Sequence, residues 1–426
     1  MATYYVDSTA GLAENNGLSV QTPVDTFRRL TILPGDTVLI KAGSVFRDCL
    51  DSPNGEEGKV ITWDMYGEGE KPQFLGSDNL HDASKWKETD KNIWAWQGDF
   101  ETQVCNLIFD HDKSCGVLAW EYEDLNEQGK WHYTHMGYGE ANFPAHLADR
   151  PKVLYLYSVG NPAEVYSDIE CAVYRHRCLL RGQKHIRIAN MSCKYSGVHA
   201  YGQSFVEDIV IRDCEFRFIG GCVWDRIQRI RFGNGIEIWE HGKDFTLEHC
   251  YFDQVYDSCT THQGFKNENP CERINIINNI FKNYGMAAYE LRDRIALDTH
   301  FDATSASVRD SASRSRAKRR RASPNCGRSR WDTICSSGAS MRRPRTAASP
   351  FIIMSSTKHP TVPRSIRRST KKRKSSSISQ TTSTTRPRTR ILCVSAAKTT
   401  ERTNSPPISM TWGQTAAAVS RICFRE

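Results

Sequence analysis

Between Ile186 and Gly285 the chain writes one short pattern four times. Ile186-Arg-Ile188-Ala-Asn190 precedes Cys193 and Tyr195-Ser-Gly197, and Ile209-Val-Ile211-Arg-Asp213 precedes Phe216 and Ile219-Gly220. Phe245-Thr-Leu247-Glu-His249 precedes Phe252 and Val255-Tyr256, and Ile274-Asn-Ile276-Ile-Asn278 precedes Phe281 and Tyr284-Gly285. Each unit reads as an alternating strand, a polar corner, a second short strand and a turn. The period, about 22 to 36 residues, is that of solenoids. Period-two alternation puts Ile186/Ile188, Ile209/Ile211, Phe245/Leu247 and Ile274/Ile276 on one face, so stacked units bury continuous apolar ladders that no single unit could bury alone. Asn, Asp or His follows each strand, and Asn and Asp tolerate the left-handed backbone of a tight corner. The fixed leucine spacing of a leucine-rich repeat is absent.

Near residue 300 the text changes. Residues 296–426 hold 27 Lys and Arg against six Asp and Glu, which leaves 30 basic and 43 acidic residues before them. The net charge of +8 therefore comes wholly from the tail, and the body is acidic. An acidic body argues against nucleic acid as its partner, because phosphate binding needs a basic face. Three origins compete for the tail: a basic segment that binds nucleic acid or membrane, a low-complexity linker, or a shifted reading frame. The last is favoured. Asn, Asp and Tyr codons ending in A-C give Thr when read one base late, and Trp331, Trp412, Cys326, Cys335, Cys393 and Cys423 are foreign to a genuine disordered tail. On this reading Ser305–Glu426 has no stable core, the solenoid ends on an uncapped coil near residue 295, and the chain itself is aggregation-prone and inactive.

No segment has the length and apolarity of a membrane span, so no membrane partner is expected. Met1–Tyr5 has neither a basic nor an apolar leader region, so no signal peptide is read and the location stays open. The 15 cysteines follow no CxxC or disulfide framework and are expected to be reduced, partly buried thiols.

Further motifs carry a resemblance. The opening Tyr4-Tyr5-Val6-Asp7-Ser8, Gly17-Leu18-Ser19, Thr22-Pro23 and Pro34-Gly35-Asp36-Thr37-Val38-Leu39-Ile40-Lys41-Ala42-Gly43 is followed by Ile61-Thr62 and Tyr66-Gly67-Glu68-Gly69-Glu70-Lys71-Pro72. With Asn234-Gly235-Ile236-Glu237 and Tyr256-Asp257 … Gln263-Gly264, these resemble the right-handed parallel β-helix proteins of the pectate-lyase-like superfamily, over residues 3–300. The resemblance implies an all-β, right-handed parallel β-helix. Its kin include lyases, glycosidases, esterases and non-catalytic spikes, so it implies a carbohydrate setting without fixing a reaction. The expected organisation is an N-terminal cap with first coils (1–84), a β-rich insertion (85–180), β-helix repeats (181–300) and a basic tail (301–426). In the insertion, Trp94, Trp96, Trp120, Trp131, Tyr133, Tyr155 and Tyr157 are read first as a local core and second as sugar-stacking surfaces.

Aligning the units by their first strands, with Asp225–Phe232 as an inserted loop, brings Gly202, Glu237, Thr261 and Glu290 to one position. Ile236 and Ile238 then point in, Glu237 and Trp239 out; Tyr289 points in, Glu290 and Arg292 out. Rungs about 4.8 Å apart place the Glu237 and Glu290 backbones about 9–10 Å apart. Inverting glycosidases separate their acid and base carboxyls by about 6.5–9.5 Å. Glu237, Glu290 and Asp257 are thus the expected catalytic residues, with Glu240 and Asp293 as alternatives. Glu237 stands alone in the apolar run Gly235-Ile-Glu-Ile-Trp239, where burial would suit it to acid catalysis. Trp239, Tyr201, His199, His262, Gln263 and Arg292 are the expected substrate contacts, with Trp239 and Tyr201 as stacking platforms.

The leading function is a glycoside hydrolase acting on a polysaccharide or oligosaccharide of plant or microbial origin, with no cofactor. A lyase would instead need a basic residue, such as Lys266, Arg226, Arg292 or His262, and a counter-ion for a uronate, with Ca²⁺ between Glu240 and Asp257. The third reading is a carbohydrate-binding or structural β-helix without turnover. His199 and His262 lack the matched partners of a zinc site and are expected to be structural. No P-loop, dinucleotide fingerprint or nucleophile elbow is present.

Overall fold

The computed structural model describes residues 1–137, 151–264, 270–292 and 296–308. The expectations for the tail beyond Val308, and for Lys266 and Asp293, lie outside the described residues.

Strands stack in three parallel rows. The first runs through Thr3–Val6, Thr37–Lys41, Ile61–Tyr66 and Lys184–Ala189. It continues through the later halves of His199–Arg212 and Ile236–Glu248, then Cys271–Tyr284 and Ala296–Val308. The second holds Val45–Phe46, Gln73–Leu75, Ser192–Lys194, Glu215–Ile219, Tyr251–Val255 and the end of Cys271–Tyr284. The third holds Leu50–Asp51, Cys178–Arg181, the first halves of His199–Arg212 and Ile236–Glu248, Thr260–Gln263 and Tyr289–Leu291. The chain is a parallel β-helix, and the three rows are its faces.

The sequence repeats place its parts. Ile186, Ile209, Phe245 and Ile274 lie in one row, and Ile188, Ile211, Leu247 and Ile276 in another. All eight are buried. Behind the second face Phe216 stacks on Phe252 at 4.7 Å between ring centres, and Phe252 on Phe281 at 5.1 Å. Stacked rings add to the area each aromatic buries. The predicted corners have left-handed backbone: φ is 56° at Asn190, 53° at Asp213, 54° at His249 and 56° at Asn278. A second left-handed row, His185, Asp208, Asp244 and Arg273, opens the same strands. There Asp208 accepts from His185 Nδ1 (2.9 Å) and Arg187 Nη2 (2.6 Å), and Arg273 is bidentate on Asp244. The described cysteines are free and all but Cys115 are buried, in line with reduced thiols.

Between Leu75, on the second face, and Cys178, on the third, the chain leaves the solenoid. It builds one sheet from Ser77–Asn79, Val104–Phe109, Ser114–Cys115 and Ile169–Val173, and another from Trp86–Asp90, Ile93–Trp96, Val117–Leu118, Lys130–Tyr133 and Leu154–Tyr157. Trp86, Trp96, Trp131 and Tyr133 form its core. Partly buried ionic contacts pin this excursion to the coils. Arg47 is bidentate on Glu170 (2.8 and 2.7 Å), which also accepts from Ser77 Oγ at 2.6 Å. Asp112 meets Lys194 at 3.2 Å, Arg217 at 3.1 Å and the Tyr195 hydroxyl. Two rungs on, at the same corner, the hairpin Cys222–Asp225/Ile230–Phe232 leaves the solenoid, where the alignment places its inserted loop. It joins the excursion through Arg226 to Glu121 (2.8 Å) and Arg231 Nη2 to the Cys105 carbonyl (2.9 Å).

The last rung departs from expectation. The strand Ala296–Val308 pairs in parallel with Cys271–Tyr284 past residue 300, with register shifts between Ile277 and Tyr284. Backbone pairing asks little of side chains at the end of a stack, and Phe301 still finds Phe281 at 5.9 Å. No helix among the described residues is long and apolar enough to cross a membrane.

Candidate active site

The third face carries the predicted row. Gly202 pairs with Glu237, Glu237 with Thr261, and Thr261 with Glu290. Ile236 and Ile238 belong to the solenoid core, so the alternation turns Glu237 and Glu290 to the outer side. They are not solvated charges: Glu237 is 5% exposed and Glu290 3%. The excursion and the hairpin rise beside this face, with Phe232 of the hairpin against His199 at 5.8 Å.

Each carboxylate has its own donors. Glu237 Oε2 accepts from Asn234 Nδ2 at 2.9 Å and from Gln263 Nε2 at 2.5 Å. Its Oε1 lies 3.4 Å from His199 Nε2. His199 Nδ1 accepts the Asn234 amide at 3.0 Å, so the ring proton sits on Nε2 and faces the carboxylate. Burial pushes the His199 pKa down to about 4, which keeps that ring neutral. Glu290 Oε1 accepts from Arg292 Nε at 2.9 Å and Nη2 at 2.6 Å, and Oε2 accepts from Ser258 Oγ at 2.8 Å. Arg292 Nη1 also reaches Gln263 Oε1 at 3.3 Å. Gln263 and Arg292 thus bridge the two acids.

Asp257 lies in the turn that enters this face and is partly exposed. Burial, then the charges of Glu290 and Glu237 against the opposing Arg292, push its pKa up to about 7. Three carboxylates in one place share one guanidinium, and the third keeps its proton near neutrality.

Two supporting residues escaped the sequence reading. Asn234 ties Glu237 to the next rung, since its Oδ1 accepts the Ser258 amide at 3.1 Å, and Ser258 in turn holds Glu290. Their signal is positional: Asn234 and Ser258 lie three residues before Glu237 and Thr261, at matching points of successive rungs.

Several expected contacts lie elsewhere. Tyr201 pairs with Ile236 in the core, fully buried, and its hydroxyl donates to the Gly182 carbonyl at 2.7 Å. His262 pairs with Ile238 and Leu291, is 1% exposed, and meets the Tyr289 hydroxyl at 3.2 Å. Both face the interior by strict alternation, so neither is a substrate platform. His199 is 1% exposed and backs Glu237 instead of lining a surface. Arg226 is spent on Glu121 and the Trp120 carbonyl, with its guanidinium over the Trp120 ring at 5.6 Å. Trp239, Gln263 and Arg292 share the outer side with the acids.

Glu240 and Asp257 belong to no group of three or more close ligand-type residues among the described residues. Among the described residues one set of ligand-type atoms lies close enough to hold a metal: Asp48, Cys49 and His176. There Arg28 is bidentate on Asp48 (2.8 and 2.7 Å) and donates to the Cys49 sulfur at 3.3 Å, so a guanidinium already fills the place of a cation.

No protein-family model and no curated protein matches the chain. Among solved structures it is similar to the complex of XylC with xylose, at 13% identity and a TM-score of 0.43, over 71% of this chain and 64% of that one. It is similar to a glycoside hydrolase at 8% identity and 0.39, over 72% and 97%. It is also similar to the pectate lyase Pel9A at 11% identity and 0.33, over 67% and 55%. The chain thus spans less than two thirds of the XylC and Pel9A structures.

Proposed function

We propose that the chain is a carbohydrate-active β-helix whose third face hydrolyses a glycosidic bond in a polysaccharide or oligosaccharide. The observation that carries this reading is the trio of carboxylates on neighbouring rungs: Glu237 and Glu290 on either side of Thr261, with Asp257 held protonated beside them. Hydrolysis with two carboxyl groups needs one proton donor and one proton acceptor at the same pH.

Asp257 is the donor to the leaving oxygen. Glu237, whose Oε2 already accepts two N–H bonds and whose Oε1 is less engaged, is the acceptor that activates water. The sequence favoured Glu237 as the acid; its amide donors suit the acceptor role instead. Glu290 is held by Arg292 and Ser258, and its charge adds to the burial that raises the Asp257 pKa to about 7. Trp239, Gln263 and Arg292 are the residues placed to touch sugar. Of the bases named for a lyase route, Arg226 is committed to Glu121, Arg292 to Glu290, and His262 faces the core, while Lys266 lies outside the described residues.

The test is product analysis with the full chain on xylan, polygalacturonate and arabinogalactan. New reducing ends without ultraviolet-absorbing unsaturated products support hydrolysis. Unsaturated products select the lyase, and binding without turnover selects a carbohydrate-binding module. Glu237→Gln must abolish the hydrolysis; an unaffected rate would remove the acids from this role.

A further inference from the structure

Two buried polar atoms at this centre, His199 Nε2 and the Thr261 hydroxyl, have no hydrogen-bond partner in the protein, and of these only Thr261 lies between the two acids. Thr261 is fully buried, and its hydroxyl makes no hydrogen bond. Buried hydroxyls are nearly always bonded, and an orphan costs about 1–3 kcal/mol. The fold gives this one a specific place. Thr261 pairs with Glu237 on one side and Glu290 on the other, about 4.8 Å from each backbone. Alternation turns it to the side of both acids, away from Thr260, which faces the core with Tyr289 and donates to the Ala288 carbonyl at 2.7 Å.

Apart from His199 Nε2, which faces Glu237 without bonding it, most groups of the centre have partners. Both Glu290 oxygens have donors, and Glu237 Oε2 has two. Glu237 Oε1 has only the 3.4 Å approach of His199. Besides the His199 Nε2–H that faces it, the remaining capacity is one hydroxyl on Thr261 and one carboxylate oxygen on Glu237. A water molecule complements that pair: its oxygen accepts from Thr261 and its proton goes to the carboxylate.

We infer that Thr261 is the water-positioning residue of the hydrolytic centre, holding the attacking water between Glu237 and Glu290. This rests on the hydrolytic reading above. In the step, the water oxygen bonds to the anomeric carbon as the glycosidic carbon–oxygen bond breaks. The water proton passes to Glu237, and the Asp257 proton passes to the leaving oxygen. Two free hydroxyl ends form, and solvent returns both carboxyls to their starting states.

The experiment compares wild type, Thr261→Val and Thr261→Ser as full chains on whichever of the three polysaccharides yields reducing ends. Valine keeps the shape and removes the hydroxyl; serine keeps the hydroxyl. The expected result is a kcat lowered about 10- to 100-fold in Thr261→Val with KM unchanged, and kcat restored by Thr261→Ser. Melting curves of the two variants show whether folding is shared. Wild-type kcat in Thr261→Val overturns the inference, and so does an equal loss in both variants, since a packing defect alone produces it. Wild type without any reducing-end release overturns the hydrolytic reading itself and takes this inference with it. Turnover in wild type with an indifferent Thr261→Val leaves hydrolysis standing and removes only the role of Thr261.

Discussion

Arg292 grips a single oxygen of Glu290 with two nitrogens, Nε at 2.9 Å and Nη2 at 2.6 Å. That grip gives a carboxylate only 3% exposed two charge-assisted hydrogen bonds, and after burial the charge of Glu290 is the next cause that raises the pKa of Asp257. Glu290→Gln removes this charge and leaves the burial of Asp257. The pKa of Asp257 then falls below about 7. Because the protonated form of Asp257 is the working one, the basic limb of the rate–pH profile moves toward lower pH in this variant. A profile of kcat/KM in wild type and Glu290→Gln checks it; an unmoved basic limb would separate Asp257 from Glu290.

Asp257 also links stability to pH. Its folded pKa, about 7, stands above its ordinary value of 3.8, so the folded chain holds the proton more tightly than the unfolded one. For a carboxyl shifted upward, stability is full below the unfolded value and is lost as pH rises from there through the folded value. Asp257→Asn carries no such dependence. It is expected to be more stable than wild type at pH 8 by about 1–3 kcal/mol, discounted for partial exposure, and equal to it near pH 4. Denaturant titrations at the two pH values measure the difference. The same variant loses hydrolysis by about 10²- to 10⁴-fold, as removal of a general acid does.

The rows and corners of the solenoid were legible because a repeat states its register locally. Four aligned strands and four corner residues were enough to place Glu237, Thr261 and Glu290 in one line. The excursion was not legible in the same way. The pairing of Val104–Phe109 with Ile169–Val173 joins segments about sixty residues apart in sequence, which no local period encodes. The alternation that turns Glu237 outward already turns Tyr201, beside Ile236, and His262, beside Ile238, inward; residue type, a ring and an imidazole suited to sugar, argued for the outer side and was the weaker guide. The apolar run around Glu237 hinted at its burial, but that of Glu290 was hidden, since the hairpin and excursion that rise beside this face lie outside the repeat.

Tyr201 gives a control for that distinction. Its hydroxyl is the partner of the Gly182 carbonyl inside the core. Tyr201→Phe strands that carbonyl and is expected to cost about 1–3 kcal/mol. It leaves KM and kcat on the active polysaccharide unchanged, because the ring reaches no groove. Chemical denaturation and steady-state kinetics on the same preparation test both halves. A raised KM with unchanged stability would restore Tyr201 as a substrate contact.

His249 tests the corner rule at its weakest member. It holds φ at 54°, as Asn190, Asp213 and Asn278 do in the same row, yet histidine lacks the short side chain that makes this backbone tolerable. Its ring is half exposed, 53%, and its nearest charged neighbour, Asp213, stands at 3.9 Å, so little packing is lost when the side chain changes. The backbone term therefore dominates. His249→Gly frees the corner of strain but loosens the unfolded chain, and the two effects offset to within about 1 kcal/mol. His249→Val places a β-branched residue at positive φ and is expected to destabilise by about 1–2 kcal/mol. The comparison by urea denaturation isolates conformation from contact, because both variants lose the same imidazole. Equal stabilities for the glycine and valine variants would show that the corner is held by the rungs above and below it and not by its own backbone preference.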